Sequence, residues 1–360
     1  MTFWSKRWKI TVKSRCGTET VTPSKPGSGH SYSGGGSSGG SSSVGSSSSS
    51  STPSSKTTSR IAGENRYATV VKVSQAAYPN GAKTVILADS EKFSDVLAAI
   101  PYGSLIKAPV LYTNIDKLPG ETQQELKRLG AEKVIIIGGE KTVSAQEQKA
   151  LEGLGYKTDR INGSDRYETA GIIADRMKAA GAKGMDSVII ASGEKFPDAL
   201  SISSLAVQNQ TPILLSGKDR MSNYTIKALE AMKQGKVYIS GGTNTVSATV
   251  ESQLKKYTKQ AITRYAGEDR YATSAAIAKA LRPDAQTSVL ASGEKFQDAL
   301  VAGELVGKDN APLMLLKKTN VPASVANYLK NSKVSKNVLV GGENTIANSV
   351  LNDLDKLESR

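Results

Sequence analysis

Arg60-Ile61-Ala62-Gly63-Glu64-Asn65-Arg66-Tyr67 decides the fold, because the chain writes it three times. It returns as Arg160-Ile161-Asn162-Gly163-Ser164-Asp165-Arg166-Tyr167 and as Arg264-Tyr265-Ala266-Gly267-Glu268-Asp269-Arg270-Tyr271. Three further signals follow each copy in an unchanging order. Glu91-Lys92-Phe93-Ser94-Asp95 matches Glu194-Lys195-Phe196-Pro197-Asp198 and Glu294-Lys295-Phe296-Gln297-Asp298. Then come Pro109-Val110-Leu111, Pro212-Ile213-Leu214 and Pro312-Leu313-Met314, and last Gly138-Gly139, Gly241-Gly242 and Gly341-Gly342. The period is about 100 residues, beyond the 20–50 of a solenoid unit, so each copy is expected to be a small domain.

Within a copy the hydrophobic pattern switches between two periods. Arg66 to Tyr78 has helical spacing and stops before Pro79-Asn80-Gly81. Thr84 to Asp89 is β-branched and apolar, Ser94 to Lys107 is helical, and Pro109 to Thr113 is extended. Pro119 to Leu129 reads as a helix with Pro near its start and Gly130 past its end. Val134 to Ile137 is a fully apolar strand, and Ser144 to Leu154 a helix stopped by Gly155. Strands apolar on both faces, alternating with helices, imply a parallel sheet covered on both sides. The expected fold is α/β, with three tandem Rossmann-like modules over 60–159, 160–263 and 264–360.

Composition narrows the chemistry. The 360 residues hold 47 Lys+Arg and 33 Asp+Glu, a net charge of +14. Residues 1–59 carry +6 of it, and the three copies carry +1, +5 and +2. No concentrated basic face is visible in the body, which argues against a nucleic-acid partner. Cys16 and His30 are the only residues of their kinds, and both precede the repeats. The repeats therefore form no Ser-His-Asp triad, Cys-His dyad or Cys/His zinc site. No apolar run approaches the ~20 residues of a membrane span. No cofactor, metal site or protein partner is implied.

Residues 23–59 form a Ser/Gly tract too poor in apolar side chains to repay ordering, and read as a flexible linker. The basic segment 1–22 before it is too short for a domain, and reads as the remnant of an upstream region. It also lacks the apolar core, roughly 7–15 residues, of a secretory leader.

The octapeptide, the Glu-Lys-Phe-x-Asp segment, the Pro-apolar-Leu/Met segment and the strand-Gly-Gly signal together resemble the type-2 cell-wall-binding repeat. That family occurs in surface proteins and autolysins of Gram-positive bacteria. The resemblance covers residues 60–360 in the family's usual set of three. It implies a place in the cell wall or on the surface, and non-covalent attachment through anionic polymers such as teichoic acid or phosphorylated polysaccharide. It also implies modules packed about a pseudo-threefold axis. The alternatives are a wall hydrolase, or its targeting part with the catalytic domain upstream, and a cytoplasmic α/β protein binding a small phosphorylated ligand.

The recurring charged residues are the candidate polymer contacts. Arg66, Arg166 and Arg270 open helices, where a guanidinium can grip a phosphodiester bidentately. A cation is poorly placed against the dipole there, so an internal ion pair with Asp95, Asp198 or Asp298 is the competing reading. Arg60, Arg160 and Arg264 lie on extended segments, and structure and binding account for them equally. Lys92, Lys195 and Lys295 sit where a strand gives way to a helix, the edge at which open α/β sheets bind ligands. A solvated lysine is the plain alternative. Phe93, Phe196 and Phe296 are expected to bury between helix and sheet. Glu91 with Asp95, and the pairs in the other copies, could in principle serve a glycosidase, but capping and the helix dipole explain early acids more simply. Gly139, Gly242 and Gly342 read as tight strand-to-loop turns, since no phosphate-loop motif surrounds them. No residue is assigned a catalytic role.

Overall fold

Eight elements recur in each repeat, and their bounds follow the apolar runs and breakers closely. A computed structural model describes residues 56–232 and 235–357. The first repeat gives β1 (Thr57–Ile61), α1 (Arg66–Ala77), β2 (Thr84–Asp89), α2 (Phe93–Ile106), β3 (Val110–Thr113), α3 (Gly120–Leu129), β4 (Lys133–Ile137) and α4 (Ala145–Gly153). The second gives β5 (Lys157–Ile161), α5 (Arg166–Ala179), β6 (Ser187–Ser192), α6 (Pro197–Asn209), β7 (Ile213–Ser216), α7 (Asn223–Met232), β8 (Lys236–Ser240) and α8 (Ala248–Leu254). The third gives β9 (Ile262–Tyr265), α9 (Arg270–Leu281), β10 (Thr287–Ser292), α10 (Phe296–Asp309), β11 (Leu313–Leu316), α11 (Ala323–Asn331), β12 (Lys336–Val340) and α12 (Asn348–Asp355).

These strands make three parallel four-stranded sheets, ordered β3-β2-β4-β5, β7-β6-β8-β9 and β11-β10-β12-β1. The central strands are buried on both faces, as helices on either side require. The strand that opens each repeat joins the sheet of the repeat before it. Thus β5 pairs with β4, β9 pairs with β8, and β1 closes the circle by pairing with β12. The β1 register runs from Thr57 opposite Lys336 to Ile61 opposite Val340. The first and second sheets therefore reach across the repeat boundaries at 159/160 and 263/264, and the third takes its last strand from the start of the first repeat. Thr57 to Ser59, read from composition as the end of the linker, belong to β1 instead. Lys56, the residue before β1, is buried, and the basic segment 1–22 and linker residues 23–55 lie outside the described residues.

Helices α2, α6 and α10 pack against one another at the centre. Their first residues, Phe93 and Phe296 with Phe196 just before Pro197, meet with ring centroids 5.2–6.1 Å apart. Phe93, Phe196 and Phe296 are half-buried where the three modules converge, so they seal a common axis rather than a helix–sheet contact. Tilted and edge-on rings at this spacing suit the aromatic quadrupole. Below them a Cβ on Gly303 would lie 3.0 Å from Ile100 and 3.3 Å from Ser203. One turn further, a Cβ on Gly307 would lie 2.8 Å from Val207 and 3.1 Å from Ser104. Each layer combines larger side chains with a glycine, which lets the third helix approach. One hydrophobic core runs through all three repeats, with Leu97, Leu200 and Leu300 fully buried in it.

Polar contacts also cross between modules. The Tyr112 hydroxyl donates to the Gln297 carbonyl at 2.7 Å, and the Gln208 amide donates to the Ala311 carbonyl at 3.0 Å.

Candidate functional site

The octapeptide is largely a device for starting a helix. Asn65, Asp165 and Asp269 are the N-caps of α1, α5 and α9, and each side chain accepts a backbone N–H of the first turn. The glycine two residues earlier lies hard against that turn. A Cβ at Gly63, Gly163 or Gly267 would come within 2.4–2.5 Å of Ala68, Glu168 or Ala272. The backbone N–H of each of these glycines donates at 3.0 Å to the hydroxyl of Thr69, Thr169 or Thr273. Those threonines, two residues past the octapeptide, recur in step and carry a structural role that the sequence reading passed over.

Arg60, Arg160 and Arg264 hold the preceding module's Gly-Gly loop. Arg160 donates to the carbonyls of Gly138 and Val143 at 2.8 and 2.9 Å. Arg264 does the same to Gly241 and Val246 at 2.8 and 2.9 Å, and its guanidinium also meets Glu251. Arg60 reaches across the closure to Gly341 and Ile346 at 2.6 and 2.9 Å. Burial lowers the pKa of Arg60 and Arg160. A guanidinium satisfied by buried carbonyls is a clamp between modules.

The inner arginines take different partners from those expected. Arg66 pairs with Glu91, and the two side chains are 38% and 59% exposed. Arg166 and Arg270 donate instead to the carbonyls of Gly193 and Gly293. No bond joins Arg66 to Asp95, Arg166 to Asp198 or Arg270 to Asp298. The aspartates sit under the Gly-Gly loops, where Asp198 accepts from Thr245 at 2.9 Å and Asp298 from Thr345 at 3.3 Å. Burial pushes the Asp95 carboxyl up to about 6, against the pull of Arg166. Burial raises Asp298 as well, against the Thr345 hydrogen bond and the charges of Lys295 and Arg66. The guanidinium that acts on each of these two carboxylates thus comes from the following module around the circle, beside the lysine of the carboxylate's own module.

The restriction in each glycine pair falls on its first member. Gly138, Gly241 and Gly341 have φ of 103°, 102° and 124°. A Cβ there would approach the Asp95, Asp198 or Asp298 carboxylate to 3.0, 2.7 or 2.8 Å. Gly139 and Gly342 meet nothing closer than 3.8 Å, and Gly242 meets nothing within 4 Å. Glu91 lies before α2 begins, so it shares no helix face with Asp95.

Lys92, Lys195 and Lys295 are exposed and adjoin the axial phenylalanines at the carboxyl ends of the strands. Among the described residues their ammonium groups have no hydrogen-bond or ion-pair partner. A cleft of about 290 Å³ runs from Lys92 and Asp95, past the Gly138-Gly139 loop and Lys141, to Arg166 of the next repeat. A larger cleft of about 770 Å³ lies on the second module, between Tyr167, Glu194 and the 217–223 loop. Among the described residues no cluster of three or more His, Cys, Asp or Glu could hold a metal ion. No helix there is long and apolar enough to cross a membrane.

Three parallel α/β modules in a closed circle define a repeat-built α/β protein. The family model for cell wall binding domain 2 (CWB2) matches residues 60–147, 160–251 and 264–351, and the chain belongs to that family. It is 32% identical over 297 residues to the amidase enhancer of Bacillus subtilis (strain 168), covering 82% of this chain and 40% of that protein. It is 30% identical over 295 residues to N-acetylmuramoyl-L-alanine amidase LytC of the same strain, covering 82% of this chain and 57% of that one. Among solved structures, Cwp6 from Clostridium difficile superposes with a TM-score of 0.79 at 29% identity, over 85% of this chain and 48% of that chain. Cwp8 from Clostridium difficile gives 0.76 at 28% identity, over 83% and 51%. The chain thus spans only about half the length of these relatives.

Proposed function

We propose that this protein anchors non-covalently to the Gram-positive wall by gripping an anionic wall polymer, such as a teichoic acid or phosphorylated polysaccharide, with its three modules. The observation that carries this reading is the trio Lys92, Lys195 and Lys295, exposed cations that form no hydrogen bond or ion pair among the described residues, each next to one of the three axial phenylalanines. Arg66, Arg166 and Arg270 lie one helix start away. Each contact is weak, but on a repeating polymer the second and third become intramolecular, which multiplies the overall affinity. Membership of the cell wall binding family supports a wall location. The likeness to an amidase and to an amidase enhancer favours a second, compatible reading: the repeats target an autolytic activity carried elsewhere.

The test is co-sedimentation with purified walls. Replacing all three lysines (K92Q/K195Q/K295Q) is expected to weaken binding about tenfold, since three exposed charge contacts together supply about 1.4 kcal/mol. Raised salt is expected to release the wild-type protein. Unchanged binding to walls stripped of their anionic polymer would refute the polymer as the ligand.

A further inference from the structure

We propose that an open cleft on the second repeat receives a phosphorylated sugar residue. The proposal rests on the wall-binding reading above and gives one of its modules a specific ligand class. The cleft measures about 770 Å³ and lies at the carboxyl ends of β6 and β7, between the starts of α5 and α7. Pockets for small ligands span about 300–1,000 Å³.

The three repeats differ in what stands against the tyrosine of the octapeptide. In the first, Asn114 receives the Tyr67 hydroxyl, and Asn65 donates to Glu121 at 2.8 Å, so side chains bridge the corresponding gap. In the third, Lys317 lies over the Tyr271 ring, 5.6 Å from its centroid, and covers it. In the second, the residue aligned with Asn114 and Lys317 is Gly217, which has no side chain to offer. Glu121 is replaced there by Tyr224, whose hydroxyl takes a 3.0 Å hydrogen bond with Ser164. Tyr167 is therefore left facing the cleft.

The lining fits an anion that also bears hydroxyl groups. Lys218 and Arg220 are exposed, and among the described residues their side chains form no ion pair or hydrogen bond. A guanidinium beside an ammonium suits a phosphate. Glu194 and Asp219 on the same walls would repel a bare anion but accept hydrogen bonds from sugar hydroxyls. The Tyr167 ring gives the C–H face of a sugar an apolar surface, with its hydroxyl free to bond outward. A phosphate joined to a pyranose satisfies both sets of groups at once, and free phosphate satisfies only the cations.

The test is a titration of the whole chain, followed by the amide resonance of Gly217 and by calorimetry. The probes are N-acetylglucosamine 1-phosphate, N-acetylglucosamine and inorganic phosphate. The sugar phosphate is expected to saturate the site at least about tenfold more tightly than either fragment. Arg220→Gln, an exposed change, is expected to cost about tenfold for the sugar phosphate and little for the neutral sugar. Gly217→Asn is expected to restore the closed arrangement of the first repeat and abolish the Gly217-region response. No saturable binding by the wild type, or equal binding by both variants, overturns the proposal. Wall sedimentation of the same proteins separates two failures. Wild type that sediments but ignores the sugar phosphate refutes the cleft alone, and wild type that does not sediment refutes the wall reading beneath it.

Discussion

Glu304→Gln is expected to flatten the pH dependence of stability between pH 5 and 8, and to raise the melting temperature most at pH 8. Glu304 lies on α10, buried against the first module. One carboxylate oxygen accepts the Val110 backbone N–H at 2.8 Å, while the other is buried without a partner. Burial pushes this carboxyl up to about 8, the Val110 N–H pulls it down, and the charge of Glu125 pushes it further up. The other groups that feel it are Tyr78 and Tyr112, whose hydroxyls are raised chiefly by burial and further by Glu304 itself. Close by, the Lys308 ammonium bonds the Ala76 carbonyl across the same interface. The folded carboxyl holds its proton more tightly than the unfolded one. Its contribution to stability is therefore complete below the unfolded pKa of about 4.5 and is lost as pH rises towards 8. The full loss is on the order of 5 kcal/mol. Glutamine keeps an acceptor for Val110 and never ionises. Melting curves of both proteins at pH 5 and pH 8 decide the matter, and parallel pH slopes would contradict it.

A second large effect is expected at the axis. Gly303→Ile drives a branched side chain into Ile100 and Ser203, where a Cβ alone already lies 3.0 and 3.3 Å away. Overpacking of this kind costs about 1–3 kcal/mol. Ile100→Gly removes a side chain that is 1% exposed, and leaves a cavity costing about 2–5 kcal/mol, with a further ~1 for glycine within a helix. The double variant keeps one isoleucine and one glycine in the layer, so volume and helix propensity both balance. It is expected to recover more than half of the summed loss in a double-mutant cycle measured by denaturant unfolding. Strict additivity would show that the two positions do not share a layer.

The alternation of strand and helix was legible in residues such as Val134 to Ile137, because continuous apolar runs between breakers admit few other readings. The closeness of the first repeat's element bounds follows from Pro109, Pro119, Gly130 and Gly155, which stop or start elements by backbone geometry alone. What could not be read was which repeat supplies which partner. Arg66 and Asp95 recur in step, and sequence distance favours a bond within one copy. In the fold the opening strand of each copy joins its predecessor's sheet, so Arg160 clamps Gly138, and Arg166 rather than Arg66 acts on Asp95. The meeting of Phe93, Phe196 and Phe296 was hidden for the same reason, since nothing local marks an axis shared by three copies. Their scarcity was a usable clue, being three of the four phenylalanines in the chain. The open cleft at Gly217 was not legible, because the aligned residues Asn114, Gly217 and Lys317 differ in every copy and only the fold sets them against the octapeptide tyrosines.

The circular closure gives the molecule one seam unlike its other two joints. Within the first sheet the chain itself continues from β4 through α4 into β5, and within the second from β8 through α8 into β9. At β1 and β12 no peptide bond spans the junction. Five paired residues, the Arg60 clamp and a bond from the Lys56 ammonium to the Leu329 carbonyl hold it together. Breathing of the ring should begin there, because local opening starts where the fewest restraints must be released. Amide protons of Val338 to Val340 would then exchange with solvent sooner than their counterparts at Ile135 to Ile137.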